Sequence, residues 1–214
     1  MTSSPNPSEI DRALSRAVAG EEAAWRELVQ AHHARLLRMV AVRMDPRLRS
    51  RLDAEDVLQD VYLDAAKQFP DYVRDPQLPF FLWLRLLTGH WLARAHRHDI
   101  GTPHRDAGRD ISICHGGMPG ASSAALAAQL LGREDRPSEA AQRAERAMRI
   151  QNAMDALEPL DREVLSLRHF EYLSRAESAR AMGVSEAAAG KRYLRALAKL
   201  KHHLTSDRGG LEGL

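Results

Sequence analysis

Lys191, Arg192, Arg195 and Lys199 recur at helical spacing within LSRAESARAMGVSEAAAGKRYLRALAKL, residues 173–200. At about 100° per residue they share one side of a helix with Ala187 and Ala188. Ala189, Tyr193, Ala196, Leu197, Leu200 and Leu204 fall on the other side. The apolar stripe would seat this helix on a core. The basic face would offer ammonium and guanidinium groups to phosphates or guanine edges, and the small alanines would let the backbone approach bases. The chemistry on offer is recognition of nucleic acid.

The element that must position this helix is written just before it. Ser174-Arg175-Ala176-Glu177 has the form of a capping box, in which Ser and Glu each satisfy an orphan amide. Gly183 supplies the left-handed conformation that ends a helix without a steric penalty. Val184 is expected to plug the corner, and Ser185 to cap the next helix. Helix, tight turn and helix match a DNA-binding helix-turn-helix. A helical hairpin with a solvated basic face is the alternative reading of this stretch taken alone.

The rest of the chain reads as helices too. Ser8 is expected to cap a helix containing Ile10, Leu14 and Val18. Residues 21–44 follow with Trp25, Leu28, Val29, Leu36, Leu37 and Val40 at helical spacing. Asp53 is the expected N-cap of a helix with Val57, Leu58, Val61 and Leu63. The three prolines of residues 70–79 predict a connection, after which residues 80–98 form a helix apolar on almost every side through Leu87. Residues 99–137 include ICHGGMPGASS and are longer than a connection within a compact domain. With no strand alternation and no internal repeat, the fold class is all-α. Two helical domains, 8–98 and 138–204, are joined by a long flexible linker, 99–137, and the tail after Leu204 should fray.

Totals narrow the function classes. Of 214 residues 44% are hydrophobic and only 5% aromatic, which supports helical cores. No apolar run reaches a membrane span of about 20 residues, and the N-terminus lacks signal-peptide order. One cysteine, Cys114, forbids an internal disulfide and fits a reducing cytoplasm. Net charge is +2, yet charge is segregated: residues 43–51 hold four Arg against one Asp, and residues 53–60 hold four acids and no base. Such segregation implies a basic and an acidic surface with different partners.

Three motifs in order resemble a bacterial sigma factor of the two-domain extracytoplasmic-function group. The stretch Asp53-Ala54-Glu55-Asp56-Val57-Leu58-Gln59-Asp60-Val61-Tyr62-Leu63 resembles that family's acidic helix. Residues Pro79 to Leu87, PFFLWLRLL, resemble its Phe-x-x-Trp-Leu helix. Residues Leu160 to Arg168, LDREVLSLR, precede the helix-turn-helix at the family's distance. The resemblance covers nearly all of residues 20–204 apart from much of the linker. It implies a non-enzymatic protein, with no cofactor, whose partners are core RNA polymerase and promoter DNA. It also allows for a restraining anti-sigma protein.

The same resemblance assigns residues. It places Asp56, Gln59, Asp60 and Leu63, which share one helical face, against the clamp helices of the polymerase's largest subunit. In the helix Phe80–His98, which resembles the reader of the element near minus ten as single strand, Arg85, His90, Arg94, His96 and Arg97 supply polar and positive groups. His90 stands where much of the family has Asn. Trp83 and Trp91 are expected to be mainly core. Ser185, Ala187, Ala188, Lys191, Arg192, Arg195 and Lys199 would read the element near minus thirty-five as duplex. Ser178, where the family usually has an apolar residue, and Gly190 within the recognition helix depart from the pattern.

Rival readings explain less. Walker, HExxH and GxSxG motifs are absent. Cys114-His115 with His104 lacks the further ligands of a metal site. A conventional helix-turn-helix regulator, acting without core polymerase, accounts for residues 173–200 but not for the two earlier motifs. A helical adaptor that binds only protein would not need Lys191 and Arg195.

Overall fold

The computed structural model describes residues 7–45, 47–49, 51–100, 118–132 and 140–206. Nine α-helices form these residues, with no strand among them. Helix α1 (Pro7–Val18) packs on α2 (Glu22–Arg43) through Ala13, Ala17 and Ala24, whose small side chains allow close approach. It begins one residue before the expected Ser8 cap. Gly20, at φ +91°, turns the chain between the two helices.

Helices α3 (Ala54–Arg74) and α4 (Phe80–Ile100) complete the first block. Asp53 caps α3 as expected, accepting the Glu55 backbone N–H at 3.1 Å. Leu28, Leu36, Met39, Val57, Leu58, Val61, Leu84 and Leu92 are sealed from solvent between these helices. Each contributes roughly 2 kcal/mol by burial.

The proline-rich stretch 70–79 is not the connection that its composition predicts. Helix α3 runs through Pro70 to Arg74 and leaves only residues 75–79 outside a helix. Proline in a helix interior forfeits a backbone bond and costs about 3 kcal/mol. An aromatic cluster offsets that cost. Phe69, just before Pro70, lies 5.0 Å from Trp25, and Tyr72, just after it, stacks on Trp83 at 4.5 Å. The Tyr72 hydroxyl also donates to the Leu78 carbonyl at 3.1 Å, closing the short connection.

Part of the expected linker is helical. Helix α5 (Ser123–Leu131) is capped by Ser122, whose Oγ accepts the Ala125 N–H at 3.3 Å, and it ends at Gly132, φ +63°. It packs on α6 (Ala140–Asp155) and on α2, and the Ser122 N–H donates to the Val42 carbonyl at 2.8 Å. Residues 118–132 therefore belong to the packed structure, because Leu126 and Ala127 find apolar cover there.

The second block continues with α7 (Pro159–Leu165), a π turn (Ser166–Phe170), α8 (Arg175–Met182) and α9 (Glu186–Ser206). Tyr172 follows the π turn at φ +54°, a left-handed conformation costing a side-chain-bearing residue about 1–2 kcal/mol. That twist lets Glu171 and Leu173 both point inward, leaving Tyr172 exposed beneath the Arg38 guanidinium, 5.1 Å from its ring centroid.

The two blocks lie against each other, and charged groups mark their seam. Arg43 of α2 donates to Glu171 at 2.8 Å and to Glu163 at 2.6 Å. Arg85 of α4 donates to the other Glu171 oxygen at 2.7 Å. All four side chains are buried. Burial alone would raise the Glu171 carboxyl, but the two arginines outweigh it and hold the group ionised. Removing one member of such a buried set leaves an uncompensated charge.

Candidate nucleic-acid interface

The helix-turn-helix forms as its local chemistry dictates. The Ser174 N–H donates to the Glu177 carboxylate at 2.8 Å, and the Glu177 N–H donates back to the Ser174 hydroxyl at 3.1 Å. Gly183 takes the left-handed conformation at φ +64°, and Ser185 accepts the Ala188 N–H at 3.2 Å. Val184 does not plug the corner. Its side chain is 41% exposed, and only its backbone N–H is engaged, on the Ala179 carbonyl at 3.0 Å.

Along α9 the expected apolar side faces inward. Ala189 and Ala196 are buried, and Tyr193, Leu197, Leu200 and Leu204 are half-buried. Ser185, Ala187, Ala188, Lys191 and Arg195 are exposed. The basic face is nevertheless divided. Asp161 of α7 is fully buried and accepts from Arg192 at 2.9 Å and from Lys199 at 2.8 Å. Arg195 lies 3.6 Å from the same carboxylate with its side chain still 53% exposed. Burial alone would raise the Asp161 carboxyl; the Lys199 and Arg192 hydrogen bonds outweigh it and keep it below the usual carboxylate range. Arg192 and Lys199 thus staple α9 to α7. Residues i, i+3 and i+7 of one helix meet one buried acid, a pattern that the motif Leu160-Asp161-Arg162 carried unread.

The two departures from the family pattern meet at one place. Ser178 and Gly190 line a depression of about 440 Å³ with Ala187, Lys191 and Leu194. A side chain at Gly190 would meet nothing within 4 Å, so the glycine leaves the surface of α9 open.

A second candidate surface lies between α3 and α4. His90, Arg94 and Arg97 line a groove of about 380 Å³, with Asp64 and Gln68 opposite and Trp91 half-buried in its wall. Arg94 donates to Asp64 at 3.2 Å. Arg85 and His96, expected with them, do not join. Taking His90 as origin and about 100° per residue, Arg94 and Arg97 fall within about 40°, whereas Arg85 and His96 fall about 120–140° away. Arg85 is buried in the seam, and His96 is half-buried 3.3 Å from Asp45. The Arg47 hydrogen bonds hold the Asp45 carboxyl down at about 2, so an anion always faces His96. Trp83 falls within about 20° of His90 on the same side of α4, about two turns nearer its start, where it sits in the aromatic cluster with Tyr72 and Phe80.

The third surface is the acidic stripe of α3. Asp56, Gln59, Asp60 and Leu63 are all exposed on one face, while Val57, Leu58 and Val61 are buried on the other. Among the described residues, neither Asp56 nor Asp60 takes a cation of this chain. Leu63 is 58% exposed beside them. Free carboxylates flanking an exposed leucine suit a partner that brings arginines and a small apolar dent.

No group of three or more His, Cys, Asp or Glu among the described residues could hold a metal ion. His104, Cys114 and His115 lie outside the described residues. No helix among the described residues is long and apolar enough to cross a membrane.

Comparison with known proteins adds to this geometry. Residues 147–200 match the family model described as Sigma-70, region 4. The chain is 30% identical over 197 residues to the ECF RNA polymerase sigma factor SigD of Mycobacterium bovis, covering 92% of this chain and 84% of that protein. The same figures hold for SigD of Mycobacterium tuberculosis. Among solved structures, the fold is similar to that of CnrH in complex with the cytosolic domain of CnrY. The TM-score is 0.55 at 22% identity, over 93% of this chain and 99% of that one.

Proposed function

Since the chain belongs to the extracytoplasmic-function sigma factors, we propose that its three surfaces divide the work of that family between them. The chain binds core RNA polymerase, directs it to specific promoters and promotes DNA opening for initiation. Our assignment gives the polymerase the stripe Asp56, Gln59, Asp60 and Leu63. Duplex promoter DNA, at the distal element, is given Ser185, Ala187, Ala188, Lys191 and Arg195. The groove of His90, Arg94 and Arg97 is given the single strand near minus ten.

The physical division is simple. Exposed lysine and arginine on α9 neutralise phosphates and fix register, while the small residues beside them let the backbone near the bases. Opening requires one base to leave its stack and be held. His90 offers a donor and an acceptor to a base edge, and Arg94 and Arg97 follow the backbone. The proximal block, residues 8–98, then acts as sigma region 2 and residues 138–204 as region 4. Regulation of this kind needs no catalytic residue of the chain's own, and its place is the cytoplasm, with polymerase and chromosome. A restraining protein partner is part of the same reading; CnrH, whose fold is similar, was solved in complex with the cytosolic domain of CnrY.

One observation carries the polymerase assignment: two exposed carboxylates beside an exposed leucine, with no cation among the described residues engaging them. Mixing the purified chain with bacterial core RNA polymerase at moderate salt tests it. A stoichiometric complex by gel filtration is expected, and its loss on altering the stripe. A conventional helix-turn-helix regulator would give no complex and would use residues 173–200 alone, whereas the similarity runs along 92% of the chain.

A further inference from the structure

We infer that Asp64 is a specificity-determining residue of the groove between α3 and α4: it makes the groove take an extruded base that bears an exocyclic amino group and turn thymine away. The inference rests on the single-strand reading of that groove above.

The groove has an apolar floor and a rim of mixed sign. Val61 of α3 is sealed beneath it, and Leu87 and Trp91 of α4 are half-buried along it. Its α4 rim carries His90, Arg94 and Arg97, and its α3 rim carries Asp64 and Gln68. At about 380 Å³ it falls within the size of pockets built for small ligands, about 300–1,000 Å³, and has room for a single base. Trp91 offers a ring to stack on, but every base has a π face. Stacking cannot choose among bases, so the choice falls to the rim.

A carboxylate is out of place in a groove that serves only a polyanion. Arg94 donates to one Asp64 oxygen at 3.2 Å, and Lys67 donates to the other at 3.4 Å. Exposed pairs of this kind add little to stability, and α3 and α4 are already joined in the core through Leu58, Val61, Leu84 and Leu92. Support of the fold therefore does not account for the acid. The Arg94 hydrogen bond, with Lys67 behind it, holds the Asp64 carboxyl below the usual carboxylate range. At neutral pH the group is ionised and can only accept, with lone pairs to spare beyond those two cations.

Charge then orients the nucleotide. Phosphates are drawn to Arg94 and Arg97 and repelled from the α3 rim, so a base edge is what meets Asp64. Cytosine N4, adenine N6 and guanine N2 are amino groups that donate to a carboxylate. Thymine has none. Its O4 and O2 are acceptors, and they flank its one ring N–H, so a carboxylate approaching that proton meets two further oxygens. His90 and Gln68 each offer a donor and an acceptor and cannot make this distinction. The ionised carboxylate can.

The test uses the full chain assembled with core polymerase, with core alone as the blank. Its probes are short labelled single strands of thymidine or of 5-methyldeoxycytidine. The two bases share ring and methyl group and differ at C4, oxygen against amino, and in the N3 proton that follows. Fluorescence anisotropy should show the 5-methylcytosine strand bound about tenfold more tightly, within the range of a base-edge contact. Asp64→Asn, whose amide donates as well as accepts, should bring the two nearly level by strengthening the thymine strand. Damage to the fold would weaken both strands instead. Asp64→Ser should level them too and serves where the asparagine variant fails to fold. His90→Ala should weaken both strands and leave their ratio unchanged. Equal affinities in the wild type, or a preference that survives both Asp64 variants, overturn the role of Asp64 while the effect of His90→Ala keeps the groove reading standing. If His90→Ala changes neither affinity, the groove is not the single-strand site, and the role of Asp64 falls with it.

Discussion

Arg35 and Glu177 meet at 2.8 Å across the seam between the first helical block and the cap of the helix-turn-helix. One Glu177 oxygen accepts the Ser174 N–H and the other accepts Arg35. A single carboxylate thus starts α8 and docks it on α2. Replacing Glu177 by Ala should cost about 1–2 kcal/mol, the range for loss of a cap. Arg35→Ala should cost less, because the cap survives it. Thermal denaturation of the two single variants and the double should reveal a coupling of about 0.5–1 kcal/mol. Strictly additive effects would mean that the pair does not help dock the motif.

The acidic stripe of α3 should be dispensable for folding and essential for assembly. Asp60→Arg combined with Gln59→Ala alters only exposed atoms, so the melting temperature should move by no more than surface changes allow, about 0.5 kcal/mol. Affinity for core polymerase should fall at least about tenfold, because a cation now faces the partner's arginines. A titration of labelled core measures it. Unchanged affinity would remove the stripe from the polymerase interface.

How legible these features were depends on how local their causes are. The corner at Ser174, Glu177, Gly183 and Ser185 is written in adjacent residues, and it folds as written. The stripe Asp56 to Leu63 is fixed by helical period, and so is the burial of Val57, Leu58 and Val61. Pro70 misled because its neighbours Phe69 and Tyr72 stack on Trp25 and Trp83, partners supplied by distant helices. Arg85 and His96 were grouped with His90 by charge, although the angle around α4 already separated them. The buried charges of the seam were illegible: Arg43 and Arg85 meet Glu171 across 128 and 86 residues, a separation no local pattern encodes.

On α9 the basic residues should separate into two kinds of effect. Lys191→Ala and Arg195→Ala should weaken duplex binding and reduce its salt slope by about one each, with small changes in stability. Lys199→Ala and Arg192→Ala should instead lower stability, because each strips a partner from the buried Asp161 carboxylate. Asp161→Asn should reproduce that loss with the DNA face untouched. Binding isotherms at several salt concentrations, read beside denaturation curves, distinguish the two groups. If Lys199→Ala changed the salt slope and left the melting temperature alone, the staple would be wrong.

The groove between α3 and α4 should matter for opening and not for closed-duplex binding. His90→Ala should reduce strand opening about tenfold or more, as loss of base-edge hydrogen bonds does, while promoter binding before opening changes little. Permanganate reactivity of unpaired thymines with the assembled polymerase reads the first, and gel retardation in the cold reads the second. Equal losses in both assays would deny the groove a single-strand role.

Acid should weaken the fold through His32. This ring is buried between Phe80 and Phe81, with centroids 5.8 and 5.4 Å away. Neither of its nitrogens finds a hydrogen-bond partner among the described residues. Burial first, and the charge of Arg35 second, push its pKa down from 6.5 to about 4. The folded chain therefore keeps His32 neutral where the unfolded chain already binds a proton. Between those two values the unfolded state holds more protons, so stability rises with pH across the window. The stability contribution is complete above about 6.5 and is lost progressively as pH falls toward 4. The full loss is on the order of 3 kcal/mol, at 1.36 kcal/mol per unit. His32→Phe adds a third ring to the pair and has nothing to titrate. Denaturant unfolding of both chains from pH 7.5 to 4.5 should give a steeper fall for the wild type, and the difference between the two curves should grow only below about 6.5. Parallel curves would place a proton on the buried ring at no cost and overturn this account of the core.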